Sequence, residues 1–156
     1  MNNRTPYRAW QFILPDMEDY YASSSGVMMD TAPVAPGLQL SARGGIGMVD
    51  GNEAIRQAIL ILLFTIPGER IMRPDYGCDL HRLIFSPNDD TTAGLAIHYI
   101  RRAIEKWEPR VDIVALDAGR DPEAPEQLNI QLAYRVRATL HIEPLTIAVS
   151  LAGEKI

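Results

Sequence analysis

The chain has 156 residues, 47% hydrophobic and 22% charged, a balance that suits one compact domain with a proper core and excludes a disordered protein. A formal net charge of -5 offers no clustered basic face for releasing phosphate counterions, so no nucleic-acid partner is expected. The single cysteine, Cys78, cannot form an internal disulfide, the polar stretch Met1 to Trp10 lacks the apolar core of a signal peptide, and the longest apolar run, Ala58 to Phe64, is far too short to span a bilayer. These features point to a cytoplasmic, soluble protein with no direct membrane insertion.

Residues 1–49 read as an extended arm. Pro6, Pro15, Pro33 and Pro36, with Ser23-Ser24-Ser25-Gly26 and Gly44-Gly45-Ile46-Gly47, break any sustained period. Tyr7, Trp10, Phe12, Ile13, Leu14, Tyr20 and Tyr21 make the arm more aromatic than a plain linker, so it is expected to lie along its own domain or on a partner. Gly45, Gly47 and Gly51 do not make a phosphate loop, because no buried strand precedes them and no Lys-Ser/Thr follows.

Residues 50–156 carry clear periodicity. Ile55, Ala58, Ile59, Leu62 and Ile66 recur at helical spacing and predict a helix over 52–64 that is apolar on most of its surface, hence buried on more than one side. Pro67-Gly68 stops it. A polar turn follows, Glu69-Arg70-x-x-Arg73-Pro74-x-Tyr76-Gly77, then a short helical piece over 80–85 and a capping turn over 86–90. A second helix over 92–107 presents Ala93, Ala96, Ile97, Ile100, Ala103, Ile104 and Trp107 on one face and Arg101, Arg102, Glu105 and Lys106 on the other.

Pro109 ends that helix and opens the sheet, since proline lacks an N–H and pushes the residue before it out of helical geometry. Read alone, Trp107-Glu108-Pro109-Arg110 is a helix stop with two solvated charges, or a rigid corner that fixes a carboxylate and a guanidinium. Val111, Ile113 and Ala115 then predict a first strand, buried on both faces over part of its length, and 117–127 a loop. Leu128, Ile130, Leu132, Tyr134 and Val136 alternate as a half-buried second strand, and Leu145, Ile147, Val149 and Leu151 as a third. The expected fold class is α+β: two main helices on a small antiparallel sheet of about three strands, preceded by the arm. The last strand leaves an open edge.

Glu53 to Ile59, Thr65 to Arg70, Arg73-Pro74-x-Tyr76-Gly77, Leu80 to Phe85 and Trp107-Glu108-Pro109-Arg110 follow one another in an order and spacing that resemble the baseplate wedge proteins of contractile injection machines. These comprise the phage protein W family, the type VI secretion protein TssE, and counterparts in extracellular or thylakoid-anchored phage-tail-like particles. The resemblance covers about residue 45 to the C-terminus. It implies a structural baseplate role, six copies per baseplate by analogy, and no cofactor. It implies that Glu108, Pro109 and Arg110 engage the wedge core-bundle subunits, that Pro67, Gly68, Glu69, Arg70, Arg73, Pro74, Tyr76 and Gly77 form a structural turn, and that the edge Leu145, Thr146, Ile147, Ala148 and Val149 meets first-ring sheath subunits. Hub or spike proteins are further candidate partners. The particle is expected to assemble in the cytoplasm and then to remain there, be released or be membrane-anchored. The final strand lacks the Pro-Phe ending common in the family, and the arm is longer than a minimal member needs.

Two other functions compete. A lysozyme-like glycoside hydrolase acting on peptidoglycan would need two carboxylates in opposed environments, and only Glu69 with Asp75 or Asp79 lies near a suitable turn. Arg70 and Arg73 would hold Glu69 ionised, against a proton-donating role. Cys78 and His81 stand at helical spacing but lack an oxyanion-hole sequence, and His81, His98 and His141 are too scattered for a metal site. A regulatory adaptor on the same fold is the third class.

Overall fold

The computed structural model describes residues 7–13 and 37–152. The expectations placed on Leu14, Tyr20, Tyr21 and the prolines between 15 and 36 lie outside the described residues. The chain divides into two compact units, Met1–Gln57 and Ala58–Ile156.

In the first unit, the stretch read as an arm without periodicity forms short paired strands. β1 (Arg8–Trp10) pairs antiparallel with β4 (Met48–Asp50), and β2 (Phe12–Ile13) with β3 (Gly37–Leu38). Strands of two or three residues carry too little alternation to register in the sequence. Gln57 ties β1 and β2 to the helix that follows: its side chain accepts from the Phe12 N–H at 2.9 Å and donates to the Trp10 carbonyl at 2.7 Å. Gln57 is buried and doubly satisfied, so the helix start and this strand pair are one body. The glycine-rich loop spends its amides internally: Gly44 on Ser41, Gly47 on Gln39 and Gly51 on Tyr7.

Helix α1 (Asn52–Phe64) spans the expected residues and buries Ile55, Ile59, Leu60, Leu62 and Leu63. The second unit continues through a 3-10 helix (Asp79–Leu83), shorter than the helical piece expected, to α2 (Asp90–Trp107). Asp89 caps α2, its carboxylate accepting from the Thr92 N–H at 2.8 Å. The buried face of α2, with Ala93, Ala96, Ile100, Ala103 and Ile104, packs where α2 meets the strand Val111–Arg120 and the 3-10 helix.

The sheet has the order β5-β6-β7, with β5 (Val111–Arg120), β6 (Gln127–Val136) and β7 (Ile142–Ser150) all antiparallel. β6 and β7 alternate as expected, burying Leu128, Ile130, Leu132, Tyr134 and Val136 on one and Leu145, Ile147 and Val149 on the other. β5 departs from expectation in two ways. It runs to Arg120 rather than ending near Leu116, leaving only 121–126 as the loop. It also carries a bulge at Val114, between Ile113 opposite Tyr134 and Ala115 opposite Ala133. The extra residue reverses the alternation, so Leu116 and Ala118, rather than Ala115, follow Val111 and Ile113 on the core side. Only Val111 of this strand is fully buried, because an edge strand with a bulge turns away from the core.

Candidate functional site

Proline at 109 ends α2 as its chemistry requires, and Glu108 becomes the cap residue, its N–H still bonded to the Ile104 carbonyl at 2.8 Å. One residue later the Arg110 carbonyl accepts from the Arg137 N–H at 3.0 Å, which starts the sheet ladder. Pinned between two ladders, Glu108 points inward and is only 5% exposed. Its two carboxylate oxygens take the Nε and Nη2 protons of Arg110, each at 2.5 Å. The corner is therefore not two solvated charges. It is an internal fork, with the Arg110 side chain left 32% exposed at the surface.

The predicted turn packs against the same corner. Glu69 accepts from the Ile66 N–H at 3.0 Å, Gly68 donates to the Pro74 carbonyl at 2.7 Å, and Cys78 donates to the Thr65 carbonyl at 2.9 Å. Gly77 makes the crossing possible: at φ 133° its missing Cβ would sit 2.3 Å from the Thr65 carbonyl oxygen. The crossing delivers Tyr76 edge-on to Trp107, with ring centroids 5.4 Å apart. Arg70 lies 4.3 Å over the Tyr76 ring, and Lys106 lies 4.8 Å and Arg73 6.0 Å from the Trp107 ring. Burial pushes the Tyr76 hydroxyl above its ordinary pKa; Arg70 and Arg110 pull it back and Glu108 adds to it, so all four groups share one neighbourhood. Two motifs that are thirty residues apart in the chain thus form one cationic, aromatic face. Lys106 and the Tyr76–Trp107 contact were not legible beforehand; the only sequence signal was that both motifs pair an aromatic with an arginine.

The third predicted element is the edge of β7. Among the described residues β7 has β6 as its sole strand neighbour. Beyond both ends of their pairing, the Val136 N–H donates to the His141 carbonyl and the Leu151 N–H to the Glu126 carbonyl, and the register between them has no shift. Antiparallel ladders alternate bonded and non-bonded pairs, so residues 143, 145, 147 and 149 spend their amides on β6 while 142, 144, 146, 148 and 150 turn theirs outward. Thr146 and Ala148 accordingly present outward amides and exposed side chains. Pro144 falls on an outward position, where its missing N–H costs the sheet nothing.

Leu63, Phe64, Ile66, Glu69, Cys78, Leu80, His81 and Val149 line a cavity of about 170 Å³. It holds a carboxylate, a thiol and an imidazole, but burial pushes the Cys78 thiol up to about 11, which disfavours the thiolate a nucleophile needs. Glu69 is exposed and accepts from a backbone amide, while Asp79, outside the cavity lining, pairs with Arg82 at 3.2 Å, so the cavity does not bring together the two opposed carboxylates that glycoside hydrolysis needs. Among the described residues no three His, Cys, Asp or Glu side chains gather as a metal site, and no helix is long and apolar enough to cross a membrane.

The family described as baseplate wedge protein gp25 matches residues 49–141. The baseplate wedge protein gp25 of Enterobacteria phage T4 is 31% identical over 67 residues, 43% of this chain and 51% of its own, so the chain spans about half the length of that relative. A solved structure from Geobacter sulfurreducens, named provisionally as a tail lysozyme, is 34% identical with a TM-score of 0.61 over 76% of this chain and 99% of that one. The fold also recurs in a chain of the type VI secretion system baseplate complex, at 16% identity and TM-score 0.52 over 64% of this chain and 93% of that one. It recurs again in the anti-feeding prophage baseplate, at 24% identity and TM-score 0.53 over 73% and 80%. With its helices, turn and Glu-Pro-Arg corner inside the matched span, the chain belongs to the baseplate wedge protein gp25 family.

Proposed function

We propose that this chain is a structural component of a contractile phage-tail-like baseplate, joining the wedge core bundle through the corner at Glu108, Pro109 and Arg110 and seeding the first sheath ring through the β7 edge. The observation that carries the sheath part is the outward row of amides at Thr146, Ala148 and Ser150, unpaired by any strand among the described residues. Strand addition draws affinity from main-chain hydrogen bonds and specificity from alternate side chains, so an unpaired edge is its first requirement. Pro144 shortens that edge, so an added strand pairs along 146–150. Family membership supports the baseplate role, and the committed Glu69 carboxylate together with the protonated Cys78 thiol argues against hydrolysis of peptidoglycan.

Thr146→Pro and Ala148→Pro each delete one outward donor and leave the β6 ladder whole, whereas Ile147→Pro deletes an inward one and serves as the unfolding control. Baseplates that incorporate the first two variants are expected to carry no extended sheath. Full-length sheath on such baseplates would overturn the nucleation role.

A further inference from the structure

Between Arg70 and Arg73 the turn exposes Ile71 and Met72, 96% and 90% accessible, the two most exposed of the chain's large hydrophobic side chains among the described residues. Single exposed hydrophobics are ordinary on protein surfaces. Two adjacent ones on a tied-down loop are different, because the loop cannot fold them back. Gly68 bonds Pro74 across its base at 2.7 Å, Arg73 bonds Arg70 at 3.1 Å, and Tyr76 bonds Arg73 at 3.0 Å. Arg70, stacked over Tyr76, anchors one shoulder, and at the other Gly77 packs directly on the Thr65 carbonyl, which the Cys78 N–H also bonds. The backbone is thus preorganised around an uncovered apolar tip.

The surroundings of the tip are basic. Arg70, Arg73 and Lys106 cluster on the Tyr76 and Trp107 rings, with Arg110 close by, in a chain whose net charge is -5. Of the acids nearby, Glu108 is buried against Arg110, Glu69 accepts from the Ile66 amide, and Asp75 and Glu105 are exposed; the groups held on the two rings are the basic ones. Methionine, arginine and aromatic residues together are the composition of an interface centre rather than of free surface.

We infer that the 70–73 loop is the apolar anchor of the wedge-facing corner: Ile71 and Met72 insert into an apolar groove on a wedge core-bundle subunit, and acidic residues along the rim of that groove meet Arg70, Arg73 and Lys106. The inference rests on the proposed wedge contact and enlarges it from three residues to a composite face. Burying a side chain of this size raises affinity on the order of tenfold or more. The rim charges act chiefly on the rate of association and are weakened by salt.

The test uses the full chain and the purified wedge subunits of its own particle, with binding measured by surface kinetics at low and high salt. The parent should bind, with association slowed by salt. Ile71→Asp/Met72→Asp should melt at the parent temperature, since both side chains stand in water, and lose at least tenfold in affinity; Ile71→Leu/Met72→Leu should restore it. Affinity of the Asp pair within twofold of the parent, or association indifferent to salt, would overturn the anchor. A melting temperature well below the parent's would place the pair in the fold and overturn it too. Should the parent not bind these subunits, the wedge contact itself fails; should Arg110→Ala weaken binding while the Asp pair does not, the corner stands and the anchor alone falls.

Discussion

Glu108 and Arg110 grip each other across Pro109 at two points of 2.5 Å, and the carboxylate half of that fork is 6% exposed while the guanidinium half is 32% exposed. A partner that docks on Arg110 therefore meets a guanidinium already oriented by the protein's own interior. It also makes Arg110 more than a surface charge. Removing one member of a buried pair leaves the other charge desolvated without its partner, and the partial exposure of Arg110 moderates that cost. Arg110→Ala is expected to lose about 1–3 kcal/mol of stability by urea unfolding, and Glu108→Gln less, because an amide oxygen still accepts from the guanidinium. An Arg110→Ala midpoint equal to the parent's would show that Glu108 swings out to water and that the fork supports nothing.

The turn offers a paired comparison. Gly68 and Gly77 both have positive φ, 101° and 133°, but a side chain at 68 meets open space while one at 77 collides with the Thr65 carbonyl and the Pro67 nitrogen. Gly68→Ala should cost about 1 kcal/mol, the ordinary penalty of that backbone region, and Gly77→Ala clearly more than about 2 kcal/mol. Equal losses in the two variants would mean that the 65–77 crossing relaxes and is not the fixed frame of the Tyr76–Trp107 contact.

Cys78 sets an alkaline limit. Its thiol titrates near 9.0 when unfolded and is pushed up to about 11 by burial in the fold. The folded state holds the proton more tightly, so this contribution to stability is complete below pH 9 and is lost as the pH rises from 9 toward 11. Cys78→Ala should show a shallower alkaline decline than the parent across that window, and the parent thiol should resist alkylating reagents at pH 8 until the protein is unfolded. Rapid labelling of the native protein at pH 8 would contradict the burial.

The sequence by itself determined the elements whose signal is local. α1 and α2 follow from apolar residues at helical spacing and from Pro67 and Pro109 as stops, and β6 and β7 from strict alternation between Leu128 and Val136 and between Leu145 and Leu151. Such periods depend only on how a helix or strand places successive side chains. The exposed side chains of Thr146 and Ala148 came with that alternation, whereas the outward direction of their amides is set by the register with β6.

Tertiary structure decided what depends on pairing between distant residues. The Val114 bulge becomes visible only against β6, because a single inserted residue changes which partner faces which, not the composition of the strand. The strands β1 to β4 are too short to carry a period and exist through ladders that join residues 8–13 to residues 37–50. Glu108 is buried where α2 meets the sheet, and the edge-on contact of Tyr76 with Trp107 and the isolation of Ile71 and Met72 at the loop tip go with the crossing of the chain at Thr65 and Gly77. Burial is a property of the whole packed chain, so a charge that reads as solvated in sequence becomes an interior strut once two remote segments close over it.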